Sequence, residues 1–347
     1  MGAQRQAAYL LGMTIADLEA LAESLGERKF RGRQLASWLY KRNAAGMEEM
    51  LDLPASFRAR LSQEGALYRS RVAATSDLPD GTSKFLLELE DAQRIETVLL
   101  PYESRVSVCV STQVGCAAGC TFCATGMDGL VRNLTAGEII DQALTVRQQS
   151  ARRVSHVVYM GMGEPLLNYD PVVRSIRILN CEVGIAMRHI AVSTVGITPR
   201  IEKLAAEKLQ IALAVSLHAP NDQLRRQIVP IAERYPLEEL LAACRQYADY
   251  TRRRITFEYL LIRGLNDSLH LAHELVAVLR GILCNVNLIP YNAVQGLPLS
   301  RPSQARIGAF RSVLECAGIA VTQRVERGHA VSAACGQLRL RTSPEGP

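Results

Sequence analysis

From residue 105 onward the chain alternates two patterns. Short apolar and β-branched runs at 105–112, 154–160, 189–194, 211–217, 255–262 and 284–290, with a further one near 320–325, read as strands. Between them lie segments of helical period, each about 10–17 residues long, one of which opens on the capping box Thr135-x-x-Glu138. Parallel neighbours in a sheet must be joined by a crossover, and a helix of this length supplies it. The alternation therefore predicts βαβ units and an α/β fold on a parallel sheet. Six such units predict a partial (β/α)6 barrel, open along one side, with its chemistry at the C-terminal ends of the strands.

The residues ahead of the barrel follow other periods. From Thr14 to about Leu61 the pattern is helical: a Thr14-x-x-Asp17 cap, an apolar stripe through Leu18, Leu21 and Leu25, a stop at Gly26, and a second helix over Arg33 to Lys41. Between the two helices stands Arg28-Lys29-Phe30-Arg31-Gly32-Arg33, followed by Trp38 and Tyr40, a mixture of cations and aromatics that suits contact with RNA. Lys29, Arg31 and Arg33 are the expected phosphate contacts, whereas Trp38 reads better as packing in the core of this small unit. Residues 69–75, 83–90 and 94–100 read as short strands, the first two joined through Pro79-Asp80-Gly81. The expected organisation is a helical RNA-binding unit over 1–64, a β extension over 65–101, the barrel over 102–330 and a C-terminal loop and tail over 331–347.

With 347 residues, 48% hydrophobic and 21% charged, the chain can bury one large core and carry a small additional unit. No apolar run approaches the length of a membrane span, and the N-terminus lacks the sections of a signal peptide, so the expected location is the cytoplasm. A formal net charge of +6 permits a polyanionic partner without demanding one. Nine cysteines in such a chain are expected as ligands and reactive thiols rather than as a disulfide framework. Cys181, Cys244, Cys284 and Cys316 stand singly in apolar segments and read as core fillers.

Three others are grouped. Cys116, Cys120 and Cys123 have the spacing C-x3-C-x2-C just after the first barrel strand. Thiolates so placed can hold three irons of a [4Fe-4S] cluster and leave the fourth open to a small molecule. Structural zinc is the competing reading. It calls for four closed nitrogen or sulfur ligands, and no second C-x2-C or H-x3-H pair follows, although Cys109 could complete a set of four. Phe122 and the glycines 115, 119, 126 and 129 suit a loop wrapped around a cluster.

The other strand ends carry small or polar residues where a barrel places its ligand. They are Gly161-Met162-Gly163-Glu164-Pro165, Ser193-Thr194-Val195-Gly196, Ser216-Leu217-His218 and Pro290-Tyr291-Asn292. The glycines are expected to admit backbone groups to a bound amino acid and Glu164 to face its ammonium, while hydroxyls, imidazole and amide hold a ribose and a base. Each alone also reads as an ordinary strand-end turn. Two further thiols, Cys109 on the first strand and Cys335 in Ala333-Ala334-Cys335-Gly336, are readable either as reactive groups or as buried ones.

Along nearly its whole length the sequence resembles the RlmN/Cfr family of radical SAM RNA methyltransferases. The likeness is carried, in order, by C-V-S-T-Q-V-G-C-A-A-G-C-T-F-C, G-M-G-E-P-L, S-L-H-A-P-N-D, N-L-I-P-Y-N and A-A-C-G-Q-L. The resemblance implies a partial (β/α)6 radical SAM barrel with one [4Fe-4S] cluster on Cys116, Cys120 and Cys123. It implies two molecules of S-adenosylmethionine (SAM) per turnover, contacted by Gly163, Glu164, Ser193, Ser216, Leu217, His218 and Asn292. Cys335 matches the cysteine that becomes S-methylated, Cys109 its resolving partner in a transient disulfide, and Glu96 a proton acceptor.

The substrates so implied are C2 of an adenosine in the peptidyl transferase centre of 23S rRNA and of the tRNA adenosine just 3′ of the anticodon. The enzyme would act as a monomer, with electrons from a flavodoxin or thioredoxin-like donor. Adenine C2 lies between two ring nitrogens and is too electron-poor to attack the methyl group of SAM, but a carbon radical adds to it. In the implied cycle Cys335 is methylated, its methyl carbon adds to the base as a radical, and the Cys109 thiolate then attacks the Cys335 sulfur to release the RNA. Pro165, where members that modify C8 tend to carry Ala, inclines toward the C2 type, while Arg327-Gly328-His329-Ala330-Val331-Ser332 departs from the family's acidic pattern. Two alternatives stay open: C8 methylation of 23S rRNA, and a non-catalytic RNA-binding protein that uses a metal only to fold.

Overall fold

A computed structural model describes residues 8–323 except 68, 128 and 295. Cys335 and the expected tail over 331–347 lie outside the described residues. At the N-terminal end β1 (Ala8–Tyr9) pairs in parallel with β2 (Gly65–Ala66), tying together the two ends of the helical segment between them. That segment holds α1 (Ile15–Ser24), α2 (Lys29–Ala36), a wider π-type turn (Ser37–Arg42) and α3 (Ala55–Glu64). The predicted cap is in place, with Thr14 Oγ1 accepting from Asp17 N at 3.2 Å and Asp17 Oδ2 accepting from Thr14 N at 2.8 Å.

The basic run differs from expectation. It is not a connector, because α2 starts at Lys29 rather than Arg33. Gly32 explains this: a Cβ there would stand 2.4 Å from Glu19 N, so the glycine is where α1 and α2 touch backbone to backbone. Trp38 is half-buried against the core; Arg42 lies over its ring at 4.1 Å and its indole donates to Asp52.

β3 (Arg71–Asp77), β4 (Ser83–Glu88), β5 (Arg94–Pro101) and β6 (Val106–Cys109) form an antiparallel meander. A clip of β7 (Gln113–Gly115) and β8 (Leu130–Asn133) follows, enclosing the short α4 (Ala124–Met127). The chain then alternates α5 (Ala136–Gln149), β9 (His156–Tyr159), α6 (Tyr169–Cys181), β10 (Ile190–Thr194), α7 (Thr198–Ala206) and β11 (Ala212–Ser216). It continues with α8 (Asp222–Ile228), α9 (Leu237–Thr251), β12 (Ile255–Leu261), α10 (Leu269–Leu279), β13 (Cys284–Pro290), α11 (Gln304–Cys316) and β14 (Ala320–Gln323). β6 and β9 to β14 are all parallel. Because β6 pairs on one side with β5 and on the other with β9, extension and partial barrel are one ten-stranded sheet, in the order β14-β13-β12-β11-β10-β9-β6-β5-β4-β3.

Side chains alternate across this sheet. Val157, Val192, Leu213, Val215, Phe257 and Val286 are fully buried on the face that packs against the helices, where Tyr159 Oη meets Ser175 Oγ of α6 at 2.7 Å. The opposite, concave face is small and polar. Registered neighbours on it include Cys109 with Val158, Val158 with Ala191, Ser193 with Ala214, Ser216 with Glu258 and Glu258 with Asn287.

The helical segment is not loosely hung on the barrel. Buried Asp141 of α5 accepts from Arg69 Nη1 at 3.0 Å and from Ser70 N at 2.7 Å, while Arg69 Nη2 donates to Ala44 O at 3.2 Å. Asn43 Nδ2 donates to Leu144 O at 3.0 Å, and one apolar cluster runs from Leu10 to Leu314. Of the cysteines expected as core fillers, Cys244 is buried and Cys284 half-buried, but Cys181 and Cys316 are exposed. Both end their helices, at positions beyond the packed stripe. Among the described residues no helix is long and apolar enough to cross a membrane.

Candidate active site at the strand ends

The clip closes the cysteine loop at its base. Cys116 N donates to Gly129 O at 2.7 Å, and Gly115 takes φ +77° with its missing Cβ only 2.0 Å from that same oxygen. Within the loop Cys123 N donates to Cys120 O at 3.1 Å, and Thr121 N donates to Ile228 O at 3.0 Å, anchoring the loop to the end of α8. Cys120 and Ala118 pack with Ala219, Ile228, Val229 and Ala232, with Cys116, Phe122 and Cys123 at the margin.

Burial pushes the Cys116 thiol up to about 12, helped by the Glu164 and Cys123 charges, and drives Cys120 well above its ordinary range for the same reasons. Thiolates crowded in this way need positive charge among them to ionise. Among the described residues no three His, Cys, Asp or Glu side chains gather around a single-ion position. Three thiolates on one short loop suit a cluster, in which each would hold a different iron.

Glu164 is buried and braced from two directions. Its Oε1 accepts from Leu166 N at 2.9 Å and its Oε2 from Val195 N at 2.7 Å, so the turn after β9 is tied to the end of β10. Burial raises its carboxyl to about 7 against these stabilising bonds. Neither glycine beside it has room for a side chain: a Cβ on Gly163 would stand 2.6 Å from Gln113 Cβ, and one on Gly161 2.7 Å from Val110 O. Gln113 completes the junction, accepting from Glu164 N at 2.8 Å and donating to Asn133 Oδ1 at 2.8 Å.

At the end of β11 the chain turns through His218 at φ +60°. Leu217 N and His218 N both donate to Glu258 O, at 3.0 and 3.3 Å, and Leu260 N donates to His218 Nδ1 at 3.1 Å. Burial holds this imidazole neutral, with its pKa pushed down to about 3, so its proton sits on Nε2. Phe122 of the cysteine loop meets the ring edge-on at 5.0 Å. Asn266 locks the turn by donating to both His218 O at 2.8 Å and Leu260 O at 2.6 Å. Ser193 and Ser216 are half-buried on the concave face, and Asn292 presents a buried Oδ1 that has no partner among the described residues. An orphaned acceptor at a strand end is what a hydrogen-bonding ligand would satisfy.

Glu96 and Cys109 share that concave face, since Val98, one alternate position along from Glu96, is the registered partner of Cys109. Glu96 is buried, with Oε1 at 2.8 Å from Lys84 Nζ, and Cys109 is buried likewise. Of the expected RNA contacts, Lys29 and Arg33 ion-pair with Glu23 and Glu19, and Arg31 donates to Gln34 and to Asp52 O. Arg225 and Asn266 are absent from the sequence reading, which has no signal for either: what distinguishes them is complete burial against main-chain carbonyls.

A three-cysteine loop seated at the strand ends of a partial barrel defines a radical SAM enzyme, and residues 110–275 match the profile described as the Radical SAM superfamily. Residues 8–67 match the ribosomal RNA large subunit methyltransferase N-terminal domain. The chain belongs to the RlmN family of RNA methyltransferases. A relative from Gloeobacter violaceus named "Probable dual-specificity RNA methyltransferase RlmN" is 49% identical over 96% of this chain and 95% of its own. One from Thermosynechococcus vestitus under the same name is 48% identical over 95% of this chain and 98% of its own. The crystal structure of a radical SAM methyltransferase from Sphaerobacter thermophilus, 48% identical, superposes with a TM-score of 0.92 over 96% of this chain and 99% of that one. Membership sets aside the non-catalytic RNA-binding reading, and brings with it a [4Fe-4S] cluster and SAM as the family's cofactors.

Proposed function

We propose that the chain methylates C2 of adenosine, in 23S rRNA and in tRNA just 3′ of the anticodon. It acts in the cytoplasm as a monomer, with electrons from a flavodoxin or thioredoxin-like donor and two SAM per turnover. The observation that carries this reading is the register placing Cys109 and Glu96 on the concave face, which also carries Ser193 and Ser216. Cys116, Cys120 and Cys123 hold one [4Fe-4S] cluster, which when bound supplies the electron for reductive cleavage of SAM. Glu164 receives the SAM amino group, Gly163 shapes the turn beside it, and Ser193, Ser216, Leu217, His218 and Asn292 line the rest of the cofactor site.

Cys335 accepts the methyl group and carries it to the base, Glu96 takes the proton lost from C2, and Cys109 attacks the Cys335 sulfur to free the product. Residues 1–64 form the RNA-facing unit, where phosphate groups would exchange for the acidic partners of Lys29 and Arg33.

The two lone thiols provide the test. Under anaerobic reducing conditions with SAM and RNA, Cys109→Ala is expected to accumulate protein covalently joined to RNA, stable to denaturing electrophoresis and removed by nuclease. Cys335→Ala is expected to methylate neither protein nor RNA. Normal turnover by Cys109→Ala would overturn the two-thiol cycle, and mass spectrometry of the product adenosine distinguishes C2 from C8.

A further inference from the structure

We propose that Arg225 is a buried positive charge that raises the reduction potential of the iron–sulfur cluster, an inference that rests on the cluster reading above. Arg225 lies on α8, the helix whose end receives Thr121 N of the cysteine loop, and it is the largest fully buried side chain among the described residues, at 0% exposure. Its guanidinium donates to two main-chain carbonyls, Nη1 to Tyr235 O at 3.1 Å and Nη2 to Val195 O at 2.6 Å, and its Nε has no partner among the described residues. Among the described residues no carboxylate lies within ion-pair distance of it. Asp222, the acid that most supports its charge, turns Oδ1 to Leu237 N at 2.9 Å, and the next supporting charge is that of Cys120.

A guanidinium stays protonated even here, because burial lowers it only to about 10. An isolated buried cation is unfavourable unless an anion stands near it. Besides Asp222, the packing of Cys120 against Ile228 and Val229, one turn beyond Arg225, points to a second anion. A cluster on three thiolates carries net negative charge that grows by one when it is reduced. A fixed cation behind it therefore favours the reduced form, and net charge and hydrogen bonding around a cluster are the protein's means of setting its potential. Arg225 also grips Val195, whose N–H binds Glu164, so the same residue fixes the strand end facing the cofactor.

The test is a redox titration of the loaded protein, followed by electron paramagnetic resonance, on wild type, Arg225→Gln and Arg225→Lys. The amide of Gln can still donate to Val195 O but carries no charge; Lys keeps the charge and loses the fork. At an effective dielectric of about 20, a unit charge within about 10 Å changes a one-electron equilibrium roughly tenfold. Arg225→Gln is therefore expected to lower the midpoint by about 59 mV, and Arg225→Lys to stay near wild type. An unchanged midpoint in Arg225→Gln, or an equal fall in both variants, overturns the proposal. If Arg225→Gln fails to take up four irons while Arg225→Lys succeeds, the charge serves assembly of the cluster rather than its potential, and the proposal fails. If neither loads, Arg225 only builds the loop and the proposal fails. A wild-type chain that takes up no iron would instead overturn the cluster reading itself.

Discussion

At Glu164 two forces on one carboxyl pull in opposite directions. Removal from water disfavours its charged form, two backbone N–H groups favour it, and burial wins, leaving the group near 7 rather than 4.5. The sign of the pH dependence follows. Below 4.5 both folded and unfolded chains hold this proton; between 4.5 and 7 the unfolded chain releases it and the folded chain does not, so stability falls as pH rises through that window. The loss amounts to about 3 kcal/mol at full shift. Glu164→Gln is expected to flatten the stability profile of the cofactor-free protein between pH 4.5 and 7, read by denaturant unfolding at several pH values. An unaltered slope would place the proton elsewhere. A cationic ligand reverses the balance, since a nearby ammonium draws the carboxyl into its charged form.

Among the elements, the β7–β8 clip is the smallest and the one on which the cysteine loop depends. Gly115→Ala puts a methyl group against Gly129 O, a backbone atom that cannot swing aside, and does so at a φ that costs a non-glycine residue about 1–3 kcal/mol. Iron uptake on anaerobic reconstitution is expected to fall several-fold while the circular dichroism of the barrel is retained; full loading would mean that the loop closes without its clip.

Sequence periodicity finds neither this clip nor the β1–β2 pair, because strands of two to four residues are too short to show a period. The barrel strands, by contrast, fall within a few residues of expectation. Runs such as Ile190–Thr194 are buried on one face by helices and kept small on the other, and both pressures select β-branched and short side chains. Cys116, Cys120, Cys123 and the strand-end motifs were legible because their chemistry is local. The packing role of Gly161 and Gly163 and the burial of Arg225 were not, since each depends on a chain segment far away in sequence.

Across the whole molecule, helical segment, extension and barrel share one sheet or one apolar cluster, so they are expected to unfold together. Asp141 is the polar hinge-pin of that union, accepting from Arg69 and Ser70 where the segments meet. Asp141→Ala leaves the half-buried Arg69 guanidinium with main-chain acceptors but without its carboxylate, and leaves Ser70 N without its acceptor, at a cost of about 1–3 kcal/mol. Calorimetry should show the melting temperature falling by several degrees, or a separate early transition for the N-terminal unit. A variant that melts as wild type would mean that apolar contact alone fixes the two together.

The concave face has one more consequence, for where the chain can change length. Glu96, Cys109, Ser193 and Ser216 reach that face only through the odd-even alternation of their strands. Inserting or deleting a single residue within β6 would turn Cys109 toward the helices, and the same slip in β10 or β11 would remove a serine from the face. Strand lengths are thereby constrained, and insertions in the core are expected to be tolerated best in the turns at the far end of the barrel, opposite the cysteine loop.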